Sequence, residues 1–189
     1  MLVTLIRHAE VEEAYHKRYN GHIDISLSTQ GKKESRELAL CFKDKQFTSV
    51  FCSDLKRCKQ TLDAFDLHIQ PVYTSKLREK SWGKHEGMSF DDIISLNDFS
   101  YENFEQWIQA LDGEDYTSYI QRVEVFFKEF LPACTCGEVL VMTHAGVIRV
   151  LMHLLDNISL EEAFCKPFGY GNYIVLDTDT WTFQDTQCV

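Results

Sequence analysis

Three stretches of the chain place basic and imidazole side chains directly after short apolar runs. Arg7-His8-Ala9-Glu10 follows Val3 to Ile6, Ser53-Asp54-Leu55-Lys56-Arg57 follows Val50 to Cys52, and Thr143-His144-Ala145-Gly146 follows Val139 to Met142. If those runs are strands of one sheet, their carboxyl ends bring two histidines and two arginines to a single crevice. Ser53 and Gly146 would open helices there, and the amides at a helix N-terminus favour anions. Guanidinium, imidazole and free backbone amides together suit a small tetrahedral dianion such as phosphate. One histidine at a strand end is ordinarily a hydrogen-bonded structural residue. The coincidence of several such ends sets this chain apart.

The elements that must position these groups are legible as an alternation. Val3 to Ile6, Val50 to Cys52, Val139 to Met142 and Tyr173 to Leu176 each read as a buried strand. Helical patterns lie between them. Gln30 to Phe42 gathers Leu38, Leu40, Cys41 and Phe42 late in the segment, with Ser28 or Thr29 as its cap. Leu55, Cys58, Leu62 and Phe65 recur at three- and four-residue steps after Ser53 as a cap, as do Ile120, Val123, Phe127 and Phe130. Val147, Val150, Leu151, Leu154 and Leu155 mark the last strong helix. The expected fold is a three-layer α/β/α sandwich with a mostly parallel central sheet. No linker, repeat or biased tract marks a boundary, so residues 1–189 are expected to form a single domain. Ser89 to Tyr119 has weaker periodicity around Phe99, Phe104, Trp107 and Leu111, and reads as a helical cap insertion over the site, at about 89–119.

Composition narrows the partners. With 189 residues and 44% hydrophobic content the chain can build a core without staples, and disorder is excluded. Its 19 Lys+Arg against 29 Asp+Glu give a formal charge of -10, a field that repels nucleic acid and anionic membrane surfaces. An anionic ligand must therefore be small and locally held. The odd count of 7 cysteines lacks regular spacing and the first residues carry no basic leader, so a reduced, cytoplasmic protein without a membrane span is expected. Cys134-Thr135-Cys136 has no second ligand pair at zinc spacing, and no nucleotide-binding glycine loop occurs. No metal and no cofactor are expected.

Taken in order, the first and third stretches, the run Ser53 to Thr61, and Leu77-Arg78-Glu79-Lys80-Ser81-Trp82-Gly83-Lys84-His85-Glu86-Gly87 resemble the successive signatures of the histidine phosphatase superfamily, also called phosphoglycerate mutase-like. Asn20-Gly21 and the residues to Gly31 are similar to the family's loop entering its first helix. The resemblance implies that His8 is a nucleophile that becomes a phosphohistidine, later hydrolysed by water. Such an imidazole must stay neutral beside cations that depress its protonation. It further implies that Arg7 and Arg57 spread positive charge over the phosphoryl oxygens, that a protonated His144 binds phosphate with help from the amide of Ala145 or Gly146, and that Glu79 is the general acid and later base. Glu86 takes a supporting place.

Two positions depart from the pattern. Ala9 stands where the family usually has Gly, which is tolerable if the backbone there needs no positive φ. Ala14 stands where many relatives carry an Asn that touches phosphate; Asn20 is the nearest amide and the candidate substitute, although Asn before Gly21 also reads as a turn. His16 and His22 are candidates to meet substrate in the same loop, although histidines in such a loop are more often simply solvated.

The implied activity is a phosphomonoesterase acting on a small phosphorylated metabolite. The compact length and Gly21-His22-Ile23-Asp24-Ile25-Ser26-Leu27-Ser28 resemble the α-ribazole phosphatases of cobalamin nucleotide-loop assembly. A phosphoglycerate mutase-type phosphotransferase and a noncatalytic phosphate-binding protein are the alternatives, and oligomeric state is open.

Overall fold

A computed structural model describes residues 1–96 and 100–187, with the backbone alone over 185–187. Six strands form one sheet: β1 (Leu2–Arg7), β2 (Ser49–Ser53), β3 (Val72–Thr74), β4 (Glu138–Thr143), β5 (Tyr173–Asp177) and β6 (Thr182–Gln187), in the order β3-β2-β4-β1-β5-β6. β1, β2, β3 and β4 pair in parallel, and β5 is antiparallel to both β1 and β6.

Strand side chains alternate between faces, so each strand feeds two cores. Val3, Leu5, Phe51, Val139 and Val141 point into one cluster, where α5 (Tyr116–Val125) supplies Tyr119 and Val123 and α7 (Ala145–Asp156) supplies Val147 and Leu151. Ile6, Val50, Cys52, Leu140 and Met142 point the other way, onto Leu38 of α1 (Thr29–Cys41) and Cys58 and Leu62 of α2 (Lys56–Leu62). The result is the expected sandwich. Ser28 caps α1 by accepting the Gly31 amide.

Several sequence expectations are corrected. Tyr173 to Leu176 is half-buried: Ile174 and Leu176 are inside, and Tyr173 and Val175 are not, because β5 lies toward the sheet edge beside the polar β6. The three-residue β3 and the polar β6 carry no apolar run that could have announced them. The helix read through Ile120, Val123, Phe127 and Phe130 is not continuous. α5 passes into a π-helical turn at Phe126–Phe130 before α6 (Leu131–Cys134), where Pro132 has no N–H to offer the carbonyl four residues back.

Where it is described, the 89–119 segment is helical, with α3 (Phe90–Ser95) and α4 (Phe104–Ala110) capped by Ser89 and Asn103. Phe99 lies outside the described residues. α8 (Leu160–Cys165), capped by Ser159, precedes the loop into β5.

Phe126 is fully buried and meets Phe51 of β2 edge-on at 5.8 Å, joining α5 to the sheet. Phe126→Ala is expected to lower unfolding stability by about 3–5 kcal/mol in a denaturant titration.

Candidate active site

The parallel register sets the site. Arg7 pairs with Thr143 across β1 and β4, so the next residues, His8 and His144, leave the sheet side by side with ring centroids 5.2 Å apart. The His8 amide donates to the Thr143 carbonyl at 3.0 Å, which prolongs the ladder by one bond. On the far side of β4, β2 delivers Ser53 and, through the first turn of α2, Arg57.

His8 is buried, and its Nδ1 lies 2.8 Å from the Ala9 carbonyl. A carbonyl only accepts, so Nδ1 carries the proton and Nε2 of the neutral ring holds a lone pair. Burial pushes the His8 pKa well down, and the Arg57 and Arg7 charges push it further. Ala9 is not among the residues with positive φ, which meets the condition for replacing glycine.

His144, expected as a protonated phosphate ligand, is hydrogen-bonded to protein groups at both ring nitrogens. Its ring is fully buried, Nδ1 accepts from Arg57 Nε at 3.2 Å, and Nε2 lies 2.8 Å from Ser53 Oγ. Arg57 can only donate, so the neutral ring has its proton on Nε2 and gives it to Ser53. Both nitrogens are engaged and the ring does not line the cavity. Burial, then Arg57, His8 and Arg7, hold its pKa well below the ordinary value.

Arg57 is 1% exposed and also donates to the carbonyls of Ile23 at 2.9 Å, Asn20 at 3.2 Å and Gly21 at 2.7 Å. One Nη1 hydrogen remains, since a guanidinium has five N–H groups. Arg7 donates Nη1 to the Phe168 carbonyl, and its Nε is buried without a partner.

The expected helix caps and amides are redistributed. Leu55, not Ser53, precedes α2, because the Ser53 hydroxyl is turned to His144. Asp24 accepts the Lys56 amide at 2.7 Å, so that helix end already holds an anion. The Gly146 amide donates to Glu79 Oε2 at 3.0 Å, which leaves Ala145 as the cavity-lining residue with an uncommitted amide at the start of α7.

Glu79 is brought to the same cavity by a heavily braced segment. Arg78 pairs bidentately with Asp54 at 2.7 and 2.6 Å, and Arg122 pairs with Glu114 while donating to the carbonyls of Lys76 and Arg78. The His22 ring donates Nε2 to the Glu79 carbonyl at 3.0 Å. The Glu79 carboxylate accepts from Lys80 N, Tyr119 Oη and Gly146 N. A Cβ at residue 146 would stand 2.0 Å from Glu79 Oε1, so only glycine admits this approach.

These groups line a cavity of about 240 Å³. Its wall carries five cations, Arg7, Lys17, Arg18, Arg57 and Arg149, against one carboxylate, Glu79. Tyr15, Tyr19, Trp82, Phe164 and Tyr170 complete much of the remainder. On a chain of formal charge -10, such a concentration of positive charge selects an anion.

Of the residues singled out in the sequence, Arg7, His8, Asn20, Arg57, Glu79 and Ala145 meet at this cavity. His144 and Gly21 stand behind it. The Gly21 backbone packs against Lys80 and Glu86, where a Cβ would come within 2.2 Å of the Lys80 carbonyl. Asn20 donates Nδ2 to the Tyr15 carbonyl, so its amide braces the loop, while Oδ1 is buried without a partner. Ala14 is exposed in a 3-10 turn, and His16 is turned to the Val11 carbonyl. No described residue of 89–119 lines the cavity; Trp107 donates to the Tyr19 hydroxyl at 3.0 Å and Tyr119 to Glu79 at 2.8 Å, both from behind its wall.

Sequence reasoning missed Arg149, Lys17, Arg18 and Tyr170. Arg149 was findable, being four residues after Ala145 and thus on the same helix face. Lys17 has φ 55, a left-handed conformation uncommon for a side-chain-bearing residue.

Known proteins resemble this chain in sequence and in fold. A protein of Salmonella typhimurium, described as adenosylcobalamin/alpha-ribazole phosphatase, is 28% identical over 80% of this chain and 78% of its own. A 2,3-bisphosphoglycerate-dependent phosphoglycerate mutase of Parvibaculum lavamentivorans is 29% identical over 94% of this chain and 90% of its own. Among solved structures, the alpha-ribazole phosphatase of Shigella flexneri superposes with a TM-score of 0.82 at 24% identity, covering 97% of this chain and 93% of that one, a likeness of fold. The histidine phosphatase superfamily (branch 1) matches residues 3–186, and the chain belongs to that family.

Proposed function

We propose that this chain is a phosphomonoesterase that works through a phosphohistidine at His8. The observation that carries this reading is the buried neutral imidazole, its Nδ1 proton fixed on Ala9, sharing one cavity with Arg7, Arg57 and the carboxyl of Glu79. Nε2 attacks phosphorus, the P–O ester bond breaks, and Glu79 delivers a proton to the leaving oxygen. Glu79 then takes a proton from water, which attacks phosphorus and breaks the P–N bond, releasing phosphate and neutral His8. Arg7 and Arg57 stabilise charge redistributed over the equatorial oxygens. His144, with both nitrogens engaged, orients Arg57 rather than holding phosphate itself.

For the substrate we favour α-ribazole 5'-phosphate, in a cytoplasmic step of cobalamin nucleotide-loop assembly. The names of relatives support it, and so do the five aromatic rings on the cavity wall, which suit a leaving group bearing a flat base. The second reading, a phosphoglycerate mutase-type phosphotransferase, is favoured by the mutase relative and by the extra cations Lys17, Arg18 and Arg149. A panel of α-ribazole 5'-phosphate, phosphoglycerates, sugar phosphates and nucleotides decides between them. Phosphate release is expected to be fastest from α-ribazole 5'-phosphate. Interconversion of 2- and 3-phosphoglycerate outpacing release would establish the mutase instead, and turnover undiminished in His8→Ala would remove the phosphohistidine.

Glu79→Gln is expected to slow alkyl phosphate hydrolysis roughly 10²-fold or more while sparing nitrophenyl phosphate, whose leaving group needs no proton. Equal losses on both would give Glu79 another role. The two buried imidazoles also set a pH dependence of stability. Their folded pKa values are depressed, so the unfolded chain binds more protons once the pH drops below the ordinary 6.5. Their stabilising contribution is complete above that value and is lost as the pH falls from it toward the folded values. The wild-type Tm should therefore decline across that window, and less steeply in a His8→Asn variant.

A further inference from the structure

The loop between α8 and β5 closes over the nucleophile from the side opposite α2. Its backbone takes the ends of β1: the Arg7 amide donates to the Asn172 carbonyl at 3.0 Å, and the Gly171 amide donates to the His8 carbonyl at 3.3 Å. Its side chain Tyr170 does something more specific. The ring lies 4.0 Å beneath the Arg7 guanidinium carbon and 5.6 Å from the His8 ring, and it lines the cavity. None of the bond-making or proton-transfer steps proposed above uses it.

Arg7 is held on two sides. One face of the guanidinium rests on the Tyr170 ring, where cation–π attraction is strengthened by poor solvation, and Nη1 is tied to the Phe168 carbonyl. The edge formed by Nε and Nη2 has no partner among the described residues, and Nε is buried. Two parallel N–H groups on such an edge are the fork that binds two oxygens of one phosphoryl group. An unpartnered buried donor is costly until a ligand satisfies it.

We propose that Tyr170 is a positioning residue for phosphoryl binding: its ring fixes the plane of Arg7 so that the free Nε–Nη2 edge faces the oxyanion beside His8. This deepens the phosphatase reading and rests on it for its meaning in catalysis. The ring is required and the hydroxyl is not. A leucine at 170 would fill similar space without a π face, leaving the Arg7 guanidinium held by its Nη1 bond alone and free to tilt about it.

The test is calorimetric titration of the wild type and variants with inorganic phosphate, paired with hydrolysis of an aryl phosphate. Tyr170→Leu is expected to weaken phosphate binding and kcat/KM roughly tenfold, Tyr170→Phe to restore both, and Tyr170→Trp to bind at least as well as Tyr170→Phe. In an Arg7→Ala background, Tyr170→Leu should cost no further phosphate affinity, because the ring acts through the guanidinium. A merely structural role would make the two losses add. The proposal is overturned if Tyr170→Leu binds phosphate like the wild type, if Tyr170→Phe loses as much as Tyr170→Leu, or if the loss persists without Arg7. Wild-type protein that binds phosphate but hydrolyses no ester would defeat the phosphatase reading alone, leaving the binding comparison to judge Tyr170. Wild-type protein that binds no phosphate would sink both.

Discussion

The site depends on burying the Arg57 charge without a paired carboxylate. The guanidinium is 1% exposed, and its hydrogen bonds go to three carbonyls and one imidazole nitrogen, all uncharged. Removing a charge from water costs several kcal/mol unless polar groups replace the lost hydration. Four dipoles do so here, and they satisfy geometry while leaving net positive charge in place. Burial lowers the Arg57 pKa while nearby Glu79, Glu86 and Asp24 raise it, and a guanidinium stays charged under both influences. The consequences spread outward. Burial first, and then this fixed cation in a poorly screened interior, hold the His8 and His144 pKa values well down, and a neutral His8 is the form the proposed mechanism needs. Under the proposed function, a phosphoryl dianion arriving at the cavity would supply the counter-charge that the fold withholds, so that binding and activation would draw on the same buried charge.

The same accounting separates the two carboxylates of the Leu77–Gly87 segment. A carboxylate offers about four lone-pair positions. Glu86 receives four backbone N–H groups, from Gly21, His22, Ile23 and Trp82, at 2.8 to 3.1 Å. It is saturated, and its work is to hold the Gly21–Ile23 loop against the Trp82 turn. Glu79 receives three, two on Oε1 and one on Oε2, so Oε2 retains a position for a proton or a substrate oxygen. Two glutamates seven residues apart thus take unlike roles because one is filled by the backbone and the other is not.

Much of this was legible in the sequence, for identifiable reasons. The central strands announced themselves because both their faces are covered, giving unbroken apolar runs, and each carried its functional residues just past its end. β3 was invisible because it is a three-residue edge strand with two exposed positions, and β6 because an edge strand facing water keeps no apolar run. The short helices α3, α4 and α8 hid behind weak periodicity, yet Ser89-x-x-Asp92, Asn103-x-x-Gln106 and Ser159-x-x-Glu162 all carry capping signals. The deeper failure concerned partners. Residue type told that Ser53, His144 and the Gly146 amide could bind an anion, but all three have protein partners: parallel register sets Ser53 beside His144, and the braced Arg78–Glu79 segment brings a carboxylate to the Gly146 amide. Glycine flanks around Tyr170 say only that the chain turns there; that the ring ends beneath Arg7 is a property of tertiary closure.

The elements divide the labour between chemistry and selection. His8, Arg57 and Ala145 ride on strand ends and helix starts whose positions are set by the sheet, so their geometry is as rigid as the ladder that carries them. Much of the remaining cavity wall comes from the Tyr15–Ile25 loop, which contains little regular structure. It is held by discrete ties: Arg57 to three of its carbonyls, Glu86 to three of its amides, and Arg18 to the Gly87 carbonyl and Asp92. Two of those ties are buried or partly buried and insensitive to salt, whereas the Arg18 pair is exposed and weak in water. The loop is anchored at its Asn20–Ile23 end, and around Arg18 it is paired with the 87–89 backbone, where the Tyr19 amide donates to the Met88 carbonyl at 2.8 Å and the Gly87 amide to the Tyr19 carbonyl at 3.0 Å. Under the proposed function, side-chain changes at Lys17 and Arg18 can alter which ester fits without disturbing His8, whose backbone bonds go to Thr143 and Gly171. Chemistry and substrate choice can then vary independently on this fold, which is what relatives with unlike substrates and a common scaffold require.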